Sequence, residues 1–203
     1  MPVISRLIRK KAKTKENIFK VAIALFLEKG YDQTTVDEIA AKADVAKGTF
    51  FNYFPTKDAI LANLGEQRVA LMEEMLANEL KTIKSAKEKI YKWIKTFSEL
   101  NEVDKATISL ITKVVFTKVV FNMENELNSS SKLQLLLAQI IKEGQQQQEF
   151  RNDFDALCVA DILISIYFFT LFKWLEGRLE DSLLNEFNIR MEIVMAGLSK
   201  DIM

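Results

Sequence analysis

The sequence predicts an all-α protein of about nine helices, short ones gathered near the N-terminus and long ones after them, because apolar residues recur at helical spacing from end to end. Only 6 Gly and 2 Pro occur among 203 residues that are 49% hydrophobic, too few turn formers for a sandwich of short strands. No segment alternates apolar and polar residues as a half-buried strand does, and no fixed-period repeat is present.

The first helix is expected over Lys13 to Lys29, with Ile18, Ala22, Leu25 and Phe26 on one face and Gly30 placed for a left-handed C-cap. Thr35 and Glu38 have the spacing of a capping box and open a second helix of about two turns. A tight turn at Asp44 leads to a third short helix, which Pro55 stops; Thr56 then caps a fourth that continues to about Leu80. The fifth carries Ile83, Ala86, Ile90, Trp93, Ile94, Phe97 and Leu100, and the sixth spans Asp104 to Met123. Ser129, Ser130 and Ser131 offer an N-cap for the seventh, which runs into the polar stretch Gln145 to Gln148. Asp155 opens the eighth, Gly177 closes it, and the ninth carries Leu183, Leu184, Phe187, Met191, Val194, Met195 and Leu198.

Composition excludes several chemistries. Without any His, serine-histidine triads and His-liganded metals are ruled out, and one cysteine, Cys158, makes neither an internal disulfide nor a Cys cluster. No cofactor is expected, an enzyme in the bundle is disfavoured, and a reducing cytoplasm is the expected location. Ala156 to Leu175 is apolar, but Asp161 and Lys173 interrupt it, so it reads as a buried helix rather than a membrane span. The net charge is zero yet unevenly spread: residues 1–60 carry 11 Lys/Arg against 7 Asp/Glu, +4, and the rest 17 against 21, −4. Arg6, Arg9, Lys10, Lys11, Lys13, Lys15 and Lys20 face only Glu16 in the first twenty residues, the pattern of either a solvated arm or one that seeks phosphates.

Two short helices joined by a tight turn behind a basic flank form a helix-turn-helix, whose second helix enters the DNA major groove. Residues 15–61 go further. Ala24-Leu25-Phe26, Glu28-Lys29-Gly30-Tyr31, Thr34 to Ala40, Ala43 to Phe50, Tyr53-Phe54 and Lys57-Asp58 resemble, nearly motif by motif, the DNA-binding domain of the TetR family of bacterial transcriptional regulators. The resemblance implies a basic arm over 1–14, the helix-turn-helix domain over 15–61 and a ligand-binding and dimerisation domain over 62–203. It also implies a homodimeric regulator, most simply a repressor, on a palindromic double-stranded operator, released by a small effector. A helical carrier without operator binding is the alternative. By resemblance Thr35 and Lys57 grip phosphates at helix starts. The residues themselves place Phe50 and Phe54 in a small core, four apart, which turns Thr49, Asn52 and Tyr53 outward; Lys47, Gly48 and Phe51 complete the DNA-binding candidates on this helix. Asn52 reads adenine and Thr49 meets a base or a phosphate in this reading. Gly48 weakens a short helix, which a close approach to DNA would explain. Two departures from the family pattern stand out: Ala46 where Ser or Thr would cap, and Phe51 where Tyr would offer a hydroxyl.

Beyond residue 61 the likeness rests on helix lengths and the stretch Glu149 to Asp153. The regulatory part holds 9 of 14 Phe and both Trp, so an apolar cavity lined by Trp93, Phe97 and Phe116 is expected, with Thr112, Thr117, Asn122 or Ser165 orienting the effector. Nothing in the sequence selects among the polar candidates. The eighth helix is apolar on nearly every side, which calls for a partner to cover it. Dimerisation through the eighth and ninth helices, with Phe168, Phe172, Met191 and Met195 in or beside the interface, supplies that cover and a two-fold axis.

Overall fold

The computed structural model describes residues 2–110, 112 and 128–199. Among them are eight α-helices of seven or more residues and no β-strand: α1 (Pro2–Lys29), α2 (Val36–Lys42), α3 (Lys47–Tyr53), α4 (Asp58–Asn78), α5 (Ala86–Val103), α6 (Asn128–Gln146), α7 (Ala156–Leu175) and α8 (Leu183–Leu198). Residues 105–110 are also helical. The greater part of the expected sixth helix lies outside the described residues.

Helix α1 departs most from expectation. The basic segment is helical and forms the first three turns of a 28-residue helix. Its sequence after Pro2 is rich in Lys, Arg, Leu, Ile and Ala, all favourable helix formers, and Pro is at home in a first turn, where its missing N–H has no partner to lose. The punctuation downstream is as the residues dictate. Gly30 has φ +92° and Asp44 φ +55°, the left-handed conformation that ends α1 and turns the chain between α2 and α3. The Phe54 backbone is extended before Pro55, and the Thr56 hydroxyl accepts the Ala59 N–H at 3.2 Å. Ser85, Asp155 and Ser182 cap α5, α7 and α8, and Gly177 takes φ +69° behind α7. The three serines 129–131 are helical, not caps, because α6 starts earlier, at Asn128.

At the head of α2 both halves of the capping box are formed: the Glu38 N–H donates to Thr35 Oγ1, and Glu38 Oε2 accepts the Thr35 N–H at 2.9 Å. Lys29, in the last turn of α1, pairs with the same carboxylate. That ammonium, with the Thr35 backbone and hydroxyl, holds the Glu38 carboxyl down to about 2 from an ordinary 4.5.

Burial divides the protein into two cores. Ile18, Ala22, Phe26, Ile39, Ala40, Phe50, Phe54, Ile60 and Leu61 fill the first. Val69, Met72, Met75, Trp93, Phe97, Leu137, Ile141, Leu163, Tyr167, Phe187 and Met191 belong to the second. Helix α4 therefore feeds both, its first turn one way and its later turns the other. Leu110 packs on the first core as well, a second bridge from the regulatory half. In that half α6 lies against α4, α5 and α7, while α8 lies against α5 and α7.

The Glu149 to Asp153 stretch ties the bundle end together. The Glu149 carboxylate accepts from Ser85 Oγ (2.5 Å), Ala86 N (2.7 Å) and Lys87 N (3.1 Å), satisfying the exposed amides of α5 with a negative charge at its positive end. Phe150 turns inward over Gly144, whose carbonyl accepts both the Glu149 and Phe150 N–H groups. A Cβ on Gly144 would sit 2.4 Å from Phe150 Cδ2 and 2.8 Å from Ala86 Cβ.

Two outcomes follow. Gly144→Ala forces this crossing apart and lowers stability by about 1 to 3 kcal/mol, read as a lower urea midpoint at unchanged slope. Glu38→Gln removes a carboxylate whose folded pKa is depressed. The stabilisation that carboxylate gives is present above pH 4.5 and is lost as pH falls towards 2. Acid titrations should accordingly show a shallower stability loss over that window for the variant than for the wild type.

Candidate nucleic-acid interface

Helix α3 has two faces set by the four-residue spacing of Phe50 and Phe54, whose buried rings lie 6.1 Å apart in the first core. The opposite face leaves Lys47, Gly48, Phe51 and Asn52 exposed, with Thr49 and Tyr53 half-buried at its edge. The outward residues read from the sequence therefore lie together on one short helix. Phe51 meets Phe50 edge-on at 5.4 Å, so its exposed ring is held rather than loose. Ala46 supplies no side-chain cap to α3, as its methyl group requires.

The position of α3 is fixed from three directions. Asn17 Nδ2 on α1 donates to the Ala43 carbonyl at 3.0 Å, anchoring the turn. The Val45 N–H donates to the Ala40 carbonyl at 3.0 Å, closing that turn on α2. Lys47 pairs with Asp37 across α2 and α3 at 2.8 Å, both side chains being solvent-exposed.

Gly48 has no structural demand on it: a Cβ there would meet nothing within 4 Å, and its φ is not in the left-handed region. The space a side chain would fill lies outside the protein, on the exposed face of α3. Thr35 is exposed at the head of α2, its hydroxyl engaged in the capping box. Lys57 is placed differently from a free surface cation. Its Nζ donates to the Tyr31 carbonyl at 2.7 Å and the Thr34 carbonyl at 3.0 Å, and it lies 4.1 Å from the Tyr31 ring centre. It binds the α1–α2 loop to the start of α4, and Asp58 beside it accepts the Tyr31 hydroxyl.

An open groove of about 660 Å³ runs beside α3, lined by Lys10, Lys11, Thr14, Asp44, Val45, Ala46, Thr49 and Tyr53. The cationic N-terminal turns of α1 thus share a groove with the outward edge of α3. The cluster of cations in the sequence signalled this, but only a helical α1 fixes their distance from the turn.

The regulatory residues divide. Trp93 and Phe97 are buried against each other, with ring centres 5.8 Å apart, and both pack on Tyr167. Thr112 is helical and half-buried; Phe116, Thr117 and Asn122 lie outside the described residues. Ser165 is exposed and so does not point into the core. It shares an outer stripe of α7 with Cys158, Ile162, Phe168 and Phe169, whereas Leu163, Tyr167, Thr170 and Leu171 form the buried stripe. Met191 and Met195 are 1% and 3% exposed, inside their own protomer's core. The outer face of α8 instead carries Ile189 and Ile193, one turn apart and 52% and 72% exposed. Phe168 is exposed and Phe172 half-buried on α7. Among the described residues no group of three or more acidic or cysteine side chains is arranged to hold a metal ion.

The family described as bacterial regulatory proteins, tetR family, matches residues 18–64. The fatty acid metabolism regulator protein of Bacillus subtilis is 25% identical over 182 residues, covering 89% of this chain and 93% of its own. The regulator YuxN of the same organism is 45% identical over 47 residues, but the match spans 16% of its length. Among solved structures, FadR of Thermus thermophilus, a transcriptional repressor in complex with lauroyl-CoA, superposes with a TM-score of 0.72 at 27% identity, over 90% of this chain and 94% of that one. FadR of Bacillus subtilis, in complex with stearoyl-CoA, gives 0.72 at 24% identity, over 90% and 98%. With the tetR-family match over residues 18–64 and the likeness to whole regulators along the rest, the chain carries a TetR-family DNA-binding domain and is a ligand-responsive DNA-binding regulator.

Proposed function

We propose that this regulator is a cytoplasmic repressor that binds a palindromic operator as a homodimer and leaves it when a long-chain acyl-CoA occupies the regulatory half. The observation that carries the DNA-binding half is the outward face of α3, where Gly48 lacks a side chain that no protein atom excludes. In this reading the α3 backbone comes close to the bases at Gly48. Asn52 and Thr49 reach base edges or phosphates, and Thr35, Tyr53 and Lys57 hold the sugar-phosphate backbone. Lys47 exchanges Asp37 for a phosphate, which costs little because exposed ion pairs contribute about 0 to 1 kcal/mol. Lys10 and Lys11 add charge along the groove beside them.

Support for the effector class comes from the whole-length likeness to regulators named for fatty acid metabolism and solved with lauroyl-CoA or stearoyl-CoA. Support for the dimer comes from the apolar outer stripes of α7 and α8, Ile162, Phe168, Phe169, Ile189 and Ile193, which water would otherwise cover. These replace Met191 and Met195 as the interface residues.

The direct test is selection of DNA from a random pool, followed by titration of the resulting complex with lauroyl-CoA or stearoyl-CoA. A two-fold symmetric site, affinity falling with salt at a log-log slope of about −0.9 per phosphate neutralised, and release at micromolar acyl-CoA are expected. A flat salt response or an unaffected complex would contradict the reading.

Gly48→Ala separates fold from function. It raises helix-turn-helix stability by about 0.5 to 1 kcal/mol, measured by thermal melting. It also weakens operator binding by about tenfold, or ~1.4 kcal/mol, measured by gel shift. Ile193→Asp leaves the monomer folded by circular dichroism, since the site is exposed, but places an unpaired charge in the interface at a cost of several kcal/mol. Light scattering should then report a monomer, and operator binding should be lost.

A further inference from the structure

The centre of the regulatory core is aromatic. Tyr167 stacks on Phe187 with ring centres 5.3 Å apart and meets Trp93 at 5.4 Å. Most polar groups around this cluster are satisfied within the protein. Ser98 Oγ donates to the Ile94 carbonyl at 2.7 Å, and Asn101 Nδ2 donates to the Tyr167 hydroxyl at 2.9 Å. Two are not. Trp93 Nε1 and Thr170 Oγ1 are buried, each residue being only 1% exposed, and have no hydrogen-bond partner among the described residues. A helical Thr commonly donates to the carbonyl four residues back, and Thr170 does not use that option. Both atoms belong to the surroundings of Tyr167: Trp93 packs on its ring, and Thr170 follows it by one turn on the buried stripe of α7.

Leaving a buried donor unmet forfeits its hydration with nothing in return, and native interiors rarely do so. Val would fill the volume of Thr170 without that penalty. Indole N–H only donates, and the unpaired hydroxyl in the same core has its proton to give, so the missing partner is an acceptor.

We propose that Trp93 Nε1 and Thr170 Oγ1 are the polar anchors of the effector site and that they select an effector carrying a neutral carbonyl on an apolar chain. This rests on the acyl-CoA reading above and narrows it to recognition of the thioester carbonyl. A free carboxylate fits poorly. Lys89, the buried cation one turn before Trp93, is already paired with Glu143 at 2.5 Å, and an uncompensated anion in an apolar core is strongly disfavoured.

The test is isothermal titration of the full-length wild type, Thr170→Val and Trp93→Phe with three probes: lauroyl-CoA, its dodecyl thioether analogue without the carbonyl, and lauric acid. Thermal melts of the three ligand-free proteins accompany it. The wild type should prefer the thioester over the thioether by about tenfold, and each variant should reduce that preference by about fivefold, the effect of one hydrogen bond. Ligand-free Thr170→Val should melt no lower than the wild type, because its hydroxyl gives up nothing inside the empty protein. Equal wild-type affinity for thioester and thioether, an undiminished preference in both variants, or tighter binding of lauric acid would overturn the proposal alone. A lower melting temperature for ligand-free Thr170→Val would overturn it too, by revealing an internal partner. Failure of the wild type to bind any probe would instead remove the acyl-CoA reading, and this proposal with it.

Discussion

Helix α4 is committed at both ends. Its first turn gives Ile60 and Leu61 to the core beneath α1, α2 and α3, and its later turns give Val69, Met72 and Met75 to the core of the regulatory bundle. A packed interior resists continuous deformation, so a shift of the later turns in the regulatory core moves the helix-turn-helix with them. Leu110 on the first core adds a second contact between the halves, and the Lys15 and Glu66 pair at 4.0 Å adds a weak, exposed third. The placement of the DNA-binding surface depends on this sharing, which joins the α1 to α3 unit to the bundle.

The same logic explains why the regulatory half can be responsive without being loose. Its helix starts are capped by Ser85, Asp155 and Ser182, and Glu149 closes α5 a second time. Glu102 on α5 accepts the Leu183 N–H at 3.0 Å, fixing α8. The aromatic centre is the exception, where Trp93 and Thr170 hold polar atoms that no described residue satisfies. An effector that meets them changes the energy of the packing around Tyr167 directly, on the helices that also carry the proposed dimer surface.

Much of this was legible in the sequence because it is local. The capping box at Thr35 and Glu38, the left-handed residues Gly30, Asp44 and Gly177, and the inward pair Phe50 and Phe54 all follow from spacings of a few residues. What spacing could not decide is which face of an apolar helix turns inward. In α7, Ser165 and Thr170 sit on opposite stripes of a helix that is apolar nearly all round, so periodicity does not tell the exposed Ser165 from the buried Thr170. The same holds in α8, where Met191 and Met195 are buried and Ile189 and Ile193 occupy the outer face. The basic segment hides its helix in another way: its charge density carries no apolar periodicity, yet Lys and Arg favour helix once a first turn is available. Gly144 carried no local signal, since its need comes from Phe150 and Ala86, which only tertiary packing brings to it.

The central claim is that occupancy of the regulatory core resets the separation of two recognition helices through α4. The distance between spin labels at Ala41→Cys in the two protomers, with Cys158 replaced by Ser, measures that separation directly. Without effector, the distribution should suit recognition helices placed for successive major grooves, about 34 Å apart, and should not change on adding operator. Lauroyl-CoA should move it by several ångströms. An identical distribution with and without lauroyl-CoA, under conditions where titration shows the ligand bound, would contradict the account.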